Sequence, residues 1–354
     1  MGIIVYFTVL IALLLFPRNR ILFGLSFVYL WIVYFACTYT YDLDIYIDRY
    51  YFYDDWFAKI TEPLYTATMG FFHFLHMKFI HVQMTISFLF LSSLFYFITR
   101  TTKLQCFVIA MILISSYSFL VDLQRSCYAF VFCFPAFLVL LNDHNPIRRT
   151  FVYVALILIA TAIHAMCIVY LLFIPIGVLD HRKIINSTVI LLLLGVLFIG
   201  IIDYLIPELA NLMGMADKEA STREGMEAAK NRTVTYILAF LRCASVISLP
   251  LGIEYILKWK NMLYKLSSFD KKVIDMNIVL IAILPYLYIS HDLFRPFFVI
   301  SIINYCLASR HLYDKWLFAY TMACAINMAY WFMWRPYFMD MFWNIYLDNS
   351  IIKI

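Results

Sequence analysis

Long apolar runs separated by short polar stretches follow one another along the whole chain. Many of these runs approach the roughly 17 to 25 residues that a helix needs to cross a bilayer. The pattern predicts helices at residues 2–16, 21–37, 82–99, 104–120, 126–141, 150–163, 165–179, 184–202, 236–257, 273–290, 296–309 and 316–333. It therefore predicts an all-α polytopic membrane protein with about twelve transmembrane helices. Residues 1–354 form one predicted membrane domain.

Two stretches widen the predicted number of spans to about eleven to thirteen. Residues 151–178 are short for two spans, and residues 64–80 fit a span, a re-entrant segment or an interfacial helix. The first run, 2–16, has no basic residue before it and no small-residue cleavage site after it, so we expect a retained helix rather than a signal peptide. The composition also indicates a membrane protein, because 64% of residues are hydrophobic and 14% are charged, against about 25% charged in soluble domains.

The charged residues predict the orientation of the helices. Short connections alternate between basic and non-basic, and the basic ones are expected on the cytoplasmic side, with both termini outside. The basic turns are Arg18 to Arg20, Arg100 to Lys103, His144 to Arg149, His181 to Lys183, Lys258 to Lys272 and Arg310 to Lys315. This topology puts about 16 of the 22 acidic residues outside. They concentrate in a first external loop (38–62), a second loop (203–235) and the tail (334–354), and the net charge needs no nucleic-acid partner.

The cysteines and histidines give no sign of a metal centre. Eight cysteines are scattered without a Cys-x-x-Cys pair and are interpreted as small packing residues. His73, His76 and His81 have partial metal-like spacing, but no acid or cysteine completes a site. Phosphate-cradling glycine motifs and nucleophile elbows are also absent from the sequence. We therefore expect neither a metal nor another cofactor.

A lone arginine, Arg125, lies between two strongly apolar runs. An arginine in hydrocarbon costs roughly 2.5 to 3.5 kcal/mol, so it needs water, a counter-charge or an anionic ligand beside it. Asp122, three residues earlier, would lie on the same helical face and is the predicted internal partner. A structural ion pair at a helix end is the alternative to a functional role.

Several cations are predicted to gather at the external face: Arg125, Arg232, Arg242, Arg295 and His164. Arginine suits diphosphate, because its planar fork donates two hydrogen bonds and keeps its charge.

The aromatic and acidic first loop suits sugar binding, with Asp48 and Asp44 as the leading carboxylates, although most of its tyrosines suit headgroup anchoring. Loop 203–235 suits a lid over an outward-facing pocket or an inert solvated loop. A lone histidine such as His164 is more often a packing residue.

Four features in order resemble the EpsG-type, Wzy-like polysaccharide polymerases of bacterial surfaces. They are the acidic aromatic loop, then Glu62-Pro63-Leu64-Tyr65, then Gln124-Arg125 opening a helix, then Ala162-Ile163-His164. The resemblance covers mainly residues 38–180, with a weaker similarity at Arg232 and Arg295. This chain departs from the family at Ser126-Cys127-Tyr128, where small residues usually follow the arginine.

The resemblance implies a GT-C-like glycosyltransferase of the bacterial inner membrane, facing the periplasm, that polymerises undecaprenyl-diphosphate-linked repeat units of O antigen or capsule. Arg125 and Arg295 would bind the diphosphate, helped by Arg232 and Arg242. The general base would be Asp48, Glu62 or His164. Partners would be the lipid-linked donor and acceptor glycans, the bilayer and a chain-length regulator protein. Arginine would replace metal, a hypothesis that fails if a chelator abolishes activity of the purified protein.

Other functions remain open from the sequence. A flippase or exporter of the same glycan would break helices with glycine and proline, whereas this chain has only 9 glycines, which favours a rigid scaffold. An O-antigen ligase would need a lipid A core acceptor, and a polyprenyl-phosphate sugar transferase shares the fold class. An acyltransferase is more remote, because the adjacent His291 and Asp292 would diverge on a helix.

Overall fold

The computed structural model describes residues 2–35, 43–51, 60–115, 120, 123–142, 145–176, 178–195, 233–288 and 295–333. Within these ranges the chain is helical, with an isolated bridge between Ile176 and Leu179. The α-helices are α1 (Gly2–Leu15), α2 (Arg20–Phe35), α3 (Leu43–Tyr51), α4 (Pro63–Phe74), α5 (Phe79–Thr101), α6 (Gln105–Ser115), α7 (Gln124–Asn142), α8 (Pro146–Ile163), α9 (181–195), α10 (Thr233–Trp259), α11 (Ser268–Ile281), α12 (Pro296–Ser309) and α13 (Lys315–Met333). Short 3₁₀ helices cover Ala165–Phe173, Leu263–Lys265 and Leu284–Tyr288.

The all-helical prediction is confirmed for the described residues, and most predicted helices lie within a few residues of an observed one. Four helical stretches are long and apolar enough to cross a membrane: Phe79–Thr101, Gln124–Asn142, Pro146–Ile163 and Ala239–Trp259. The protein is therefore helical, and its long apolar helices are typical of a membrane-embedded protein. Most of loop 203–235 and the whole tail 334–354 lie outside the described residues.

Two predicted spans are wrong as continuous α-helices. The span at 165–179 is instead a nine-residue 3₁₀ helix, Ala165–Phe173, followed by turns. The span at 273–290 is divided, because α11 ends at Ile281 and a 3₁₀ helix covers Leu284–Tyr288. Pro175 and Pro285 fall in these stretches, where a missing amide N–H and the restriction on the preceding residue oppose a continuing α-helix.

The uncertain stretch 64–80 contains a short helix rather than a span. Pro63 stands at the first position of α4, where its missing N–H costs nothing. Helix α4 has 12 residues and ends at Phe74, and His76 then adopts a left-handed backbone with φ of 53°. Twelve residues rise only about 18 Å, too little for a bilayer core.

Two apolar helices occupy the centre of the bundle. All 14 residues of α12 are buried, and so are nine of the eleven residues of α6. A helix that is apolar on every face must be surrounded by other helices. Helix α6 contacts α1, α2, α12 and α13, whereas α12 also contacts α10 and α11.

Buried amides fix the position of α12 against its neighbours. Asn304 of α12 and Asn277 of α11 donate to each other's side-chain oxygens at 2.9 and 2.8 Å. Asn304 also donates to the carbonyl of Val246 in α10 at 2.9 Å. Satisfied amides of this kind in an apolar core specify which helices are neighbours.

Candidate functional site

Helices α3, α4, α7 and α8 pack together around one buried carboxylate, that of Glu62. Glu62 is the residue before α4, so its side chain lies near the positive end of the helix dipole, which stabilises an anion. Oε2 accepts a hydrogen bond from Nη1 of Arg125 at 2.6 Å. Oε1 lies 2.9 Å from Nδ1 of His164. The two oxygens of one carboxylate thus connect residues that are far apart in the chain.

Arg125 is the second residue of α7, where the helix dipole is unfavourable for a cation. Its ion pair with Glu62 compensates for this position and for burial, since the side chain is 16% exposed. The Tyr46 ring of α3 lies 5.7 Å from the guanidinium carbon, within the range of a cation–π contact. The predicted partner Asp122 lies outside the described residues.

His164 ends α8 with an extended backbone, and its amide N–H still donates to the carbonyl of Ala160 at 2.8 Å. The apolar run therefore breaks at this residue, and the imidazole turns to Glu62. Only 7% of the side chain is exposed. The other ring nitrogen, Nε2, is buried, and no described residue forms a hydrogen bond with it.

The pKa shifts of Glu62 and His164 decide their charge states, and the hydrogen bond between them then decides which ring nitrogen carries the proton. Burial lowers the pKa of His164, and the positive charges of Arg125 and Arg295 lower it further, against the opposing effect of Glu62. Burial would raise the pKa of Glu62, but the hydrogen bond from His164 and the charge of Arg125 outweigh it and lower that pKa to about 2. At neutral pH an ionised Glu62 therefore accepts from Nδ1–H of a neutral imidazole, and Nε2 holds a free electron pair.

The remaining predicted site residues lie at different distances from this cluster. Arg295 precedes α12, and its charge influences His164. Arg242 of α10 is buried and donates through Nε to the carbonyl of Trp331 in α13 at 3.0 Å. Asp48 of α3 is exposed. Arg232 lies outside the described residues, and the side chain of Asp44 is not described.

The structure therefore brings together Arg125, Glu62 and His164, with Arg295 within electrostatic range. Tyr46 is not distinguishable by sequence from the other tyrosines of its loop, which fit headgroup anchoring equally well. Among the described residues, no group of three or more histidine, cysteine, aspartate or glutamate side chains could hold a metal ion.

No family model matches the chain, and neither a curated protein nor a solved structure matches it. The fold and the cluster define the class only as a helical membrane protein with a buried Arg–Glu–His cluster.

Proposed function

We propose that this protein is a membrane glycosyltransferase that polymerises undecaprenyl-diphosphate-linked oligosaccharide repeat units of O antigen or capsule. The observation that carries the proposal is the carboxylate of Glu62, which bonds Arg125 and His164 at buried helix ends. In this geometry the neutral imidazole of His164, whose Nε2 has a free electron pair, lies beside the guanidinium group of Arg125, which Glu62 holds in place. A base and a cation side by side are what glycosyl transfer from a diphosphate requires.

In the proposed reaction, a hydroxyl of the acceptor unit attacks the anomeric carbon of the donor glycan. Nε2 of His164 takes the hydroxyl proton while the new C–O bond forms. The bond between the anomeric carbon and the diphosphate oxygen breaks, and its electron pair leaves with undecaprenyl diphosphate. Glu62 keeps the imidazole in the required tautomer and stabilises it once it is protonated, as the carboxylate does in other His–carboxylate pairs.

Arginine would stabilise the departing diphosphate. Nη1 of Arg125 donates a hydrogen bond to Glu62, and Nε of Arg125 forms no hydrogen bond with a described residue. Arg295 adds a second positive charge near His164. Fixed positive charge where negative charge develops is usually the largest electrostatic contribution to catalysis. Arg232 and Arg242 would assist, and Asp48 would contact sugar hydroxyls rather than act as the base.

The test uses a cell that lacks this gene, complemented with single variants and analysed as a glycan ladder on a gel. His164→Ala should lower polymerisation by about 10²- to 10⁴-fold, the usual contribution of a general base. Arg125→Ala should leave single-repeat products when ladders are compared at matched protein level, because loss of this cation leaves Glu62 unpaired and destabilises the variant. Arg125→Lys should also polymerise poorly because lysine lacks the planar fork. The exposed His81→Ala and Arg182→Ala are the matched controls and should give normal ladders.

Two other outcomes of this experiment would contradict the proposal in different ways. Normal ladders from both His164→Ala and Arg125→Ala would refute the proposed roles and leave a structural ion pair. A complete absence of surface glycan, with the variant protein present, would point to export or ligation instead.

A further inference from the structure

A crevice lined by cations lies where three helix connections meet: α1 to α2, α5 to α6, and α12 to α13. It consists of two adjoining cavities of about 630 and 710 Å³, both lined by Arg18, Thr99, Thr102 and Lys103. Five cations line the two cavities together: Arg18, Arg20, Arg100, Lys103 and Arg310. No acidic side chain of the described residues lines either cavity.

Contacts between residues distant in sequence form the walls of this crevice. Cys106, at the start of α6, donates through its amide to the carbonyl of Pro17 at 3.2 Å and through its thiol to that of Asn19 at 3.1 Å. The hydroxyls of Thr102 and Ser309 lie 2.6 Å apart. These bonds hold the three connections together, so the cations are gathered by the fold and not by chance side-chain positions.

Two of the five cations are explained by their surroundings. Arg100 lies in the last turn of α5, where the helix dipole favours a cation, and it stacks on Tyr96 at 5.2 Å. Arg310 lies 3.4 Å from a carboxylate oxygen of Asp270. Neither residue requires a ligand to account for its charge.

For the other three cations the helix dipoles give no net stabilisation. Arg20 is the first residue of α2, where the dipole opposes a cation, whereas Arg18 and Lys103 lie between the C-terminus of one helix and the N-terminus of the next, where the two dipoles offset each other. A helix N-terminus carries partial positive charge and favours anions. Among the described residues, no carboxylate lies within 4.0 Å of these three side chains. All three side chains are exposed, so water screens part of their mutual repulsion, and an anion in the crevice would be attracted to all three.

We propose that this crevice binds a phosphate group, either that of an anionic phospholipid headgroup or a free phosphate. Guanidinium and ammonium groups match phosphate oxygens in charge and hydrogen bonding. Leu15, Phe16 and Ile21, close in sequence to Arg18 and Arg20, have exposed apolar side chains. Acyl chains of a lipid would cover these side chains while its phosphate occupied the crevice.

The crevice is separate from the Arg–Glu–His cluster. Helices α5 and α7 run side by side, since Ser93 donates to the carbonyl of Val131, and Gln124 lines a small cavity with Ile86. Arg125 is therefore level with about Ser87 of α5, thirteen residues before Arg100, which corresponds to roughly 20 Å at 1.5 Å per residue. The crevice lies on the side that the charge pattern predicts to be cytoplasmic. The proposal thus does not depend on glycosyl transfer.

The test compares purified protein in three nanodisc preparations: phosphatidylcholine alone, phosphatidylcholine with phosphatidylglycerol, and phosphatidylcholine with added inorganic phosphate. The variant is Arg18→Gln with Lys103→Gln. The control is Arg182→Gln with Lys183→Gln, an exposed basic pair with the same change of charge. Thermal unfolding measures stabilisation, and native mass spectrometry counts retained phospholipid.

We expect phosphatidylglycerol to stabilise the wild type and the control, and to bind the variant at least about tenfold more weakly. Equal stabilisation by inorganic phosphate would identify a free anion as the ligand. No response of the wild type to either phosphate source would overturn the proposal, and so would an equal response of variant and wild type. If the double variant does not fold, Lys103→Gln alone and the charge-retaining Arg18→Lys carry the comparison, with binding lost in the first and kept in the second.

Discussion

At the scale of single residues, Glu62 connects two largely buried side chains from different helices, Arg125 and His164. It compensates a buried arginine and orients a buried histidine, and both contacts use one carboxylate. Removing one partner of a buried ion pair lowers the free energy of unfolding by more than the intact pair adds to it, because the remaining charge is left desolvated. The charge of Glu62 is therefore a stability determinant whatever reaction the cluster performs.

Replacement of this carboxylate should be costly and should change the response to acid. Glu62→Gln should destabilise the protein by roughly 3 to 5 kcal/mol, whereas the exposed Asp48→Asn should change little. The folded-state pKa of Glu62 is lowered to about 2, so its stabilising effect is complete above about pH 4.5 and is lost as the pH falls toward 2. The pKa of His164 is also lowered, so protonation of His164 likewise destabilises the fold below about pH 6.5.

Melting temperature recorded against pH in detergent tests both effects. The wild type should lose stability on acidification, and Glu62→Gln should start lower but lose less below about pH 4.5. Parallel profiles for the two proteins would contradict the assignment to Glu62.

At the scale of helices, the contact between α10 and α13 depends on a missing side chain. A Cβ added at Gly252 of α10 would overlap the ring and the hydroxyl of Tyr320 in α13. That hydroxyl donates to the carbonyl of Ser248 at 2.7 Å. The glycine thus permits a tyrosine to lie directly on the backbone of the neighbouring helix.

Gly252→Ala should displace Tyr320 and destabilise the protein by about 1 to 3 kcal/mol, the usual cost of overpacking. Gly24→Ala is the matched control, because a Cβ on that exposed glycine of α2 meets nothing within 4 Å. Alanine there should be neutral or stabilising by up to about 1 kcal/mol through helix propensity. Thermal unfolding of both variants checks the pair, and equal effects would show that the close approach is unimportant.

At the scale of the whole molecule, the Arg–Glu–His cluster and the cationic crevice are separated by roughly 20 Å along α5. Three of the six basic turns predicted to be cytoplasmic meet at one crevice, those containing Arg18, Arg100 and Arg310. Their meeting agrees with the predicted assignment of these turns to one side of the membrane.

Labelling with a membrane-impermeant maleimide tests the orientation. The seven described cysteines are buried, so they should stay unlabelled, and Cys37→Ser removes the eighth. In this background Asp48→Cys should be labelled from outside the intact membrane, and Lys183→Cys only after permeabilisation, because both positions are exposed. The reverse pattern would place the Arg–Glu–His cluster on the cytoplasmic side and would remove the basis for glycan polymerisation outside.

The sequence by itself determined the helical class, the approximate bounds of most helices and the residue types able to form a site. These follow from local patterns, since apolar length and charge asymmetry are read within one segment. The tertiary structure decided that Arg125 pairs with Glu62, 63 residues earlier, that His164 joins the same carboxylate, and that Arg18 and Lys103 share a crevice. Local sequence cannot give such pairings, because they depend on which helices pack side by side and where each one ends.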